Sequence, residues 1–370
     1  MVLILSLFLW CIVSTQSQEE EVTISTVLGD VAGTTPSSSN YVTFKGIPYT
    51  EHAPIGSYRF QESVVRTSAY SNDPLNATQY APMCIQSTSR SGEQSEDCLF
   101  LNVFVPTEGV HITANGTVVG SLPVMVWIHG GAFIFGNGAV DGSVFLRESN
   151  VIYVTIQYRL GALGFLALDS IYNETNGKTT GGMNGINDQI VALQWVQNHI
   201  EDFGGDPNEV TIFGESAGGH SACFLSLMPA ASGLFNRAIM QSGNCSPARG
   251  RQSSKEEGMQ LSLERLSGAG LADNLEALRA ADASTFHEWS DIRPSVDGYL
   301  LTNTTHNMLL NGDYSLNFEK VVIGSNSLDS VYLYPWFFAG YSTSPPPQTD
   351  DEFMRLLQAY SISDSDIAEL

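Results

Sequence analysis

Apolar residues in this chain fall into short runs bounded by glycine, proline and small polar residues, with longer stretches of helical spacing between them. Eight runs read as strands: Val22–Ile24, Val42–Ile47, Leu101–Val105, Val124–His129, Val151–Gln157, Val210–Gly214, Ala238–Gln241 and Val321–Gly324. Several are apolar at nearly every position, the pattern of strands buried on both faces of a sheet. The clearest helix spans Asn187–Phe203, where Ile190, Leu193, Trp195, Val196 and Ile200 form one apolar stripe. Gly204-Gly205 ends it, and Asp206-Pro207 turns the chain into the next strand. Strands alternating with helices predict an α/β architecture, a large mostly parallel sheet with helices on both faces. No internal repeat and no domain boundary interrupts the pattern. The stretch GNCSPARGRQSSKEEG from Gly243 reads as a surface loop, and STSPPPQTDDE from Ser342 as an excursion between helices.

The first residues follow a different pattern. Val2 to Val13 is almost wholly apolar, Ser14, Thr15 and Ser17 are small or polar, and Glu19, Glu20 and Glu21 end the run. This predicts a secretory leader over residues 1–17, too short to span a bilayer, ahead of one α/β domain over 18–370. No later stretch is long and apolar enough to cross a membrane. Five Asn-x-Ser/Thr triplets, at Asn76, Asn115, Asn173, Asn244 and Asn303, agree with export and are candidate glycosylation sites. An extracellular location follows as the expectation.

Charge narrows the partners. With 39 acidic against 16 basic residues the formal charge is −23, so no basic stripe exists to neutralise nucleic-acid phosphates or an anionic membrane. Cysteine is scarce: Cys11 leaves with the leader, and Cys84 and Cys98 flank a polar segment that a disulfide could close in an oxidising compartment. No Cys-x-x-Cys pair or histidine cluster has metal-site spacing, so no metal is expected.

Chemistry concentrates in two places. In VTIFGESAGGHSA, from Val210 to Ala222, the triplet Gly214-x-Ser216-x-Gly218 follows an apolar strand and precedes a helical stretch. Such an elbow exposes its serine at the top of a sheet, small neighbours permit the sharp bend, and the helix start points free N–H groups at the site. Upstream, VMVWIHGGAFIFG runs from Val124 to Gly136, and its strand empties into His129-Gly130-Gly131-Ala132. Small residues there free backbone N–H groups, which acyl transfer needs for a tetrahedral oxyanion.

Five stretches, SEDCLFLNVFVP, WIHGGAFIFG, QYRLGALGFLALD, NDQIVALQWVQNHIEDFGGDPNEVTIFGESAGG and FNRAIMQSG, closely resemble the type-B carboxylesterase and cholinesterase-like family in order and spacing. The resemblance runs from about Val22 to the end of the chain. It implies an α/β-hydrolase fold, a secreted esterase or lipase, no metal and no organic cofactor. It makes Ser216 the nucleophile and Gly131, Ala132 and Ala217 the oxyanion donors. Glu215 would line the pocket beside Ser216. It pairs Cys84 with Cys98, Arg59 with Glu96, and Arg159 with Asp188. The family's second disulfide has no counterpart, since Ala277 stands at one of its positions. Cys223 then reads as a core residue and Cys245 as an unpaired loop thiol.

The triad acid falls on Asp329, where the family usually has glutamate; Asp297 is a turn residue in the family pattern and a poorer candidate. The α/β-hydrolase order is serine, acid, histidine. His52, His111, His129, His199, His220, His287 and His306 all precede Asp329, and none resembles the family's histidine. The sequence therefore reads as a serine carboxylester hydrolase, truncated before its base and inactive as it stands. The alternative is an esterase-like binding or adhesion domain without catalysis. The substrate would be a small-molecule or lipid ester. The segment between Cys84 and Cys98 has no tryptophan, which disfavours choline esters, and Phe133 and Phe135 suggest an apolar pocket.

Overall fold

The computed structural model describes residues 19–37, 39–86, 92–243, 245, 252–287, 289, 291–314 and 316–326. The expected leader, Asn244, Asp329 and the stretch from Ser342 lie outside these residues. The chain divides into a large unit, Met1–Ile323, and a short one, Gly324–Leu370, of which residues 324–326 are described.

Among the described residues, nine strands follow one another along the main sheet: β1 (Glu20–Thr26), β2 (Gly29–Thr35), β3 (Tyr41–Pro48), β4 (Phe100–Pro106), β5 (Leu122–Ile128), β6 (Ile152–Ile156), β7 (Gly205–Glu215), β8 (Arg237–Gln241) and β9 (Lys320–Gly324). A two-residue strand, Leu75–Asn76, adds to β2. The spatial order is β1-β2-β3-β4-β6-β5-β7-β8-β9. The first part is antiparallel, through β1–β2, β2–β3, β3–β4 and β4–β6. From β6 through β5, β7 and β8 all pairs are parallel. All five residues of β6 are buried, Thr155 included, as its nearly continuous apolar run predicts.

All eight expected strands form, with ends shifted by a few residues. The sequence pattern does not predict β2, because GDVAGTT lacks an apolar run. Its Gly33 explains its place: a Cβ there would strike the Thr43 carbonyl and the Phe44 ring of β3. Glycine lets the two strands approach closely. The long helix, α1 (Asn184–His199), starts three residues before the expected point and ends in a 3₁₀ turn, Ile200–Phe203. Gly204, at φ 81°, closes it in the left-handed conformation. Residues 206–209 then bulge out, so that Leu122 pairs with Gly205 and Val124 with Val210.

The loop reading from Gly243 needs correction. Helix α3 (Lys255–Gly268) begins inside it, after α2 (Ala217–Leu227), the helix that follows Ser216. Ser254 accepts the Glu257 amide, and the Glu257 carboxylate accepts the Ser254 amide, a reciprocal cap that starts a helix in an otherwise polar stretch.

Candidate active site

Register brings the two motifs together. β5 and β7 are parallel neighbours with Ile128 opposite Gly214. Both strands end at the same edge, so β5 delivers His129-Gly130-Gly131 beside the Glu215-Ser216 that β7 delivers. Ser216 heads α2 at φ 54° and ψ −117°, a conformation L-residues rarely adopt. Such a residue stores about 1–3 kcal/mol and persists only where its surroundings over-determine it. Here its amide donates to the Gln241 carbonyl at 2.8 Å, and its carbonyl accepts the His220 amide at 2.9 Å.

The Gly-rich loop touches the elbow. A Cβ built on Gly130 would stand 3.4 Å from the Ser216 Cβ and 2.6 Å from the Glu215 carbonyl. Gly131, Ala132 and Phe133 take φ of 107°, 56° and 65°, three left-handed residues in succession. The Gly131 carbonyl accepts the amides of Ile134 and Phe135 at 3.0 and 3.1 Å, closing the loop into a tight turn. Ala217 is the first residue of α2, where helix amides lack an intrahelical acceptor. Ser216 is half-buried and Glu215 exposed.

His129 holds this loop from beneath. Its Nδ1 lies 2.8 Å from the Gly130 carbonyl, and its ring stacks on Tyr158 at 4.3 Å. The Tyr158 hydroxyl donates to the His129 carbonyl at 2.8 Å. Burial pushes the His129 imidazole down to about 4, against a smaller opposing effect of the Gly130 contact. The ring is therefore neutral near pH 7, and with the proton on Nδ1 it donates to Gly130. That bond orients the Gly130–Gly131 peptide, whose N–H is one of the oxyanion candidates. Burial likewise raises the Tyr158 hydroxyl far above its ordinary value.

The expectation that Phe133 lines a substrate pocket is corrected. Its ring is fully buried, edge-on to Phe165 and stacked on Phe224. The left-handed turn at Ala132 and Phe133 sends it into the core. Phe135 remains partly exposed.

Cys84 and Cys98 are disulfide-bonded, with Cα atoms 4.9 Å apart. The reading of Cys223 and Cys245 as unpaired is wrong: they form a second disulfide, Cα to Cα 5.4 Å. The chain after β8 returns over α2 and places Cys245 against the buried Cys223, a proximity that a separation of 22 residues does not announce. Arg59 makes a bidentate pair with Glu96, and Arg159 another with the fully buried Asp188. Asp297 is also buried, but its oxygens accept the Tyr299 and Leu301 amides and the Thr179 hydroxyl, so it holds a turn.

The histidines scatter. His52 stacks on Tyr58, His199 is buried beside Trp195, and His220 is buried on α2. His111 lies in the short strand His111–Ile112, His287 ends the helix Ser284–His287, and His306 lies in the helix Thr305–Asn311. Asn76, Asn115 and Asn173 are exposed, and Asn303 is half-buried. Among the described residues no cluster of three or more His, Cys, Asp or Glu could hold a metal ion, and no helix is long and apolar enough to cross a membrane.

Residues 18–362 match the model of the carboxylesterase family. The para-nitrobenzyl esterase of Bacillus subtilis (strain 168) is 41% identical over 273 residues, covering 70% of this chain and 51% of its own length. The fumonisin B1 esterase of Sphingopyxis macrogoltabida is 34% identical over 329 residues, 85% of this chain and 57% of its own. A crystal structure of a Geobacillus stearothermophilus carboxylesterase superposes with a TM-score of 0.74 at 33% identity, covering 91% of this chain and 67% of that one. The chain spans about half the length of the curated relatives it matches. With its α/β-hydrolase sheet and a match over most of its length, the chain belongs to the carboxylesterase family.

Proposed function

We propose that this protein is a serine carboxylic-ester hydrolase in which Ser216 forms an acyl-enzyme. The observation that supports it most is the Ser216 elbow, held at φ 54° against the Gly130-Gly131 loop. The Ser216 hydroxyl attacks the ester carbonyl carbon and passes its proton to a base. The carbonyl oxygen becomes an oxyanion, received by the amides of Gly131, Ala132 and Ala217. Collapse expels the alcohol, which takes the proton back, and water then releases the acid by the same route. Asp329 would orient the base.

None of the seven histidines serves as that base in this reading. His129 is neutral and committed to the Gly130 carbonyl, and His199 lies at the far end of α1. A serine without a base is a weak nucleophile, so these 370 residues alone turn esters over slowly. Two disulfides and three exposed sequons support an oxidising, extracellular location. The substrate class is a neutral or apolar ester, small-molecule or lipid, with an acidic surface that disfavours anionic ones.

An arylboronic acid tests the nucleophile in a single addition: the Ser216 oxygen bonds to boron to give an anionic tetrahedral adduct resembling the intermediate, and the serine proton goes to solvent hydroxide when the measurement is made at mildly alkaline pH. Boron-11 NMR should show that adduct on the wild-type chain and its loss in Ser216→Ala. Absence of an adduct on the folded wild type refutes the assignment of Ser216. In a p-nitrophenyl ester assay, acceleration should stay within about 10³–10⁴-fold of water. Turnover of order 1 s⁻¹, abolished by Ser216→Ala, would place the base among the seven histidines.

A further inference from the structure

The second disulfide lies within the architecture that strains Ser216. We infer that Cys223–Cys245 is a positioning crosslink that locks the strained elbow at Ser216 between its two walls. One wall is α2, which carries Cys223 two turns beyond Ser216. The other is the segment that leaves β8. Its Gln241 carbonyl accepts the Ser216 amide, and its Ser242 takes a left-handed φ of 49°. Its Gly243 is pressed onto the elbow: a Cβ there would stand 2.6 Å from the Ser216 carbonyl and 2.7 Å from the His220 nitrogen. Two residues later comes Cys245.

The two walls hold Ser216 only while they stay in contact. Two backbone hydrogen bonds among the described residues fix Ser216: its amide donates to the Gln241 carbonyl, and its carbonyl accepts the His220 amide. A backbone conformation of this kind relaxes if either wall withdraws. The bond from Cys223 to Cys245 prevents that withdrawal. It also has a firm outer anchor, since the Cys245 carbonyl accepts the hydroxyl of Thr305, a buried residue at the start of its helix. The elbow helix, the segment after β8 and the helix Thr305–Asn311 are thereby tied at one point. The Cα separation of 5.4 Å falls within the range of about 4.4–6.8 Å in which disulfides form without moving backbone. Cys223 is fully buried and Cys245 partly exposed, so an external thiol reaches the bond from the Cys245 side. A dithiol such as dithiothreitol breaks it by exchange: the reagent becomes a cyclic disulfide, and its two hydrogens and two electrons leave two cysteine thiols.

The crosslink is independent of whether Ser216 reacts, so its test reads the backbone first. Peptide mapping of protein made under oxidising conditions should show Cys223 joined to Cys245; free thiols at both positions in the folded protein overturn the inference. Hydrogen exchange then compares wild type with Cys245→Ala, which keeps the core cysteine, and with Cys223→Ala/Cys245→Ala. The amides of Ser216 and His220 should exchange at least about tenfold faster in the variants, while Val126 in β5 and Val154 in β6 keep their rates. Dithiothreitol should reproduce this in wild type and in a Cys84→Ala/Cys98→Ala variant, which retains only the second bond. Unchanged exchange at Ser216 and His220, or equal acceleration throughout the sheet, overturns a positioning role. Arylboronic acid binding should weaken in the same variants. If wild type binds no boronate, the nucleophile assignment fails while the exchange result still decides the crosslink.

Discussion

The Cα of Gly218 lies against the carbonyl oxygen of Ile128, and a Cβ added at Gly218 would overlap that oxygen. Both partners are backbone, so neither can swing away. Contact between the first turn of α2 and the end of β5 is what brings the elbow against the Gly130 loop. Gly218→Ala should therefore force the two apart, with a loss of about 1–3 kcal/mol from overpacking and with boronate binding at Ser216 abolished. Chemical unfolding together with the boron-11 signal checks this. A variant of native stability that still forms the adduct would show that the elbow tolerates the displacement.

Arg159 and Asp188 form the most enclosed ion pair among the described residues, at 2.7 Å, and the Ser63 hydroxyl also donates to Asp188. Burial alone would lower the Arg159 pKa, but the attraction of Asp188 outweighs it and the guanidinium is held above its ordinary value. Removing one partner leaves a buried charge without compensation. Asp188→Asn should cost about 3–5 kcal/mol, whereas Arg159→Met/Asp188→Leu should cost much less, because no charge is left behind. Urea denaturation of both variants separates the outcomes; equal losses would mean the pair itself is the source of stability.

The elements around these contacts differ in how far the sequence discloses them. β5, β6 and the second half of β7 are nearly continuous apolar runs, and for β6 burial on both faces writes itself into composition. The Gly-x-Ser-x-Gly elbow is equally visible, because a strained turn restricts which residues can flank it. β2 is hidden, since Gly33 is chosen for close approach to β3 rather than for apolar surface. α3 is signalled by the Ser254 and Glu257 cap, but the polar residues around it carry the pattern of a loop. Cys223–Cys245 could not be read, for its proximity depends on how the chain after β8 folds back. Phe133 follows the same rule, because only the backbone turn at Ala132 decides whether that ring faces the site or the core.

His129 gives the protein a pH dependence of known sign. Its imidazole sits at about 4 when folded against an ordinary 6.5. Between those values the unfolded chain binds the proton and the folded one does not, so stability rises with pH across that window and is lost as pH falls from about 6.5 to 4. A displacement of this size corresponds to about 3 kcal/mol. Glu51 acts lower: hydrogen bonds from the Ser68 hydroxyl and the Thr67 and Ser68 amides hold its carboxyl down to about 2, so its contribution fades below the ordinary carboxylate value of 4.5. The difference in unfolding free energy between wild type and His129→Asn, measured from pH 7 to 4, should shrink steadily as the pH falls. A constant difference would mean that His129 does not titrate in this range.

The far edge of the sheet predicts how the purified chain behaves. All five residues of β9, Lys320–Gly324, are exposed, with Val322 at 60% and Ile323 at 62% of full accessibility. Successive side chains of a strand point to opposite faces, so Val321 and Ile323 present apolar surface on one side and Val322 on the other. Among the described residues no strand pairs with the outer side of β9, and unpaired backbone along an edge is a template for a strand of another molecule. A net charge of −23 opposes that encounter at long range, but salt screens the repulsion and leaves the short-range pairing intact. Self-association should therefore increase with ionic strength, opposite to what charge attraction between copies would give. Val322→Lys/Ile323→Lys should suppress it, because each added ammonium would lie against apolar surface in the paired state. Light scattering at micromolar protein in low and high salt reads both effects. Association that is equal in wild type and the lysine variant would place the adhesive surface away from β9.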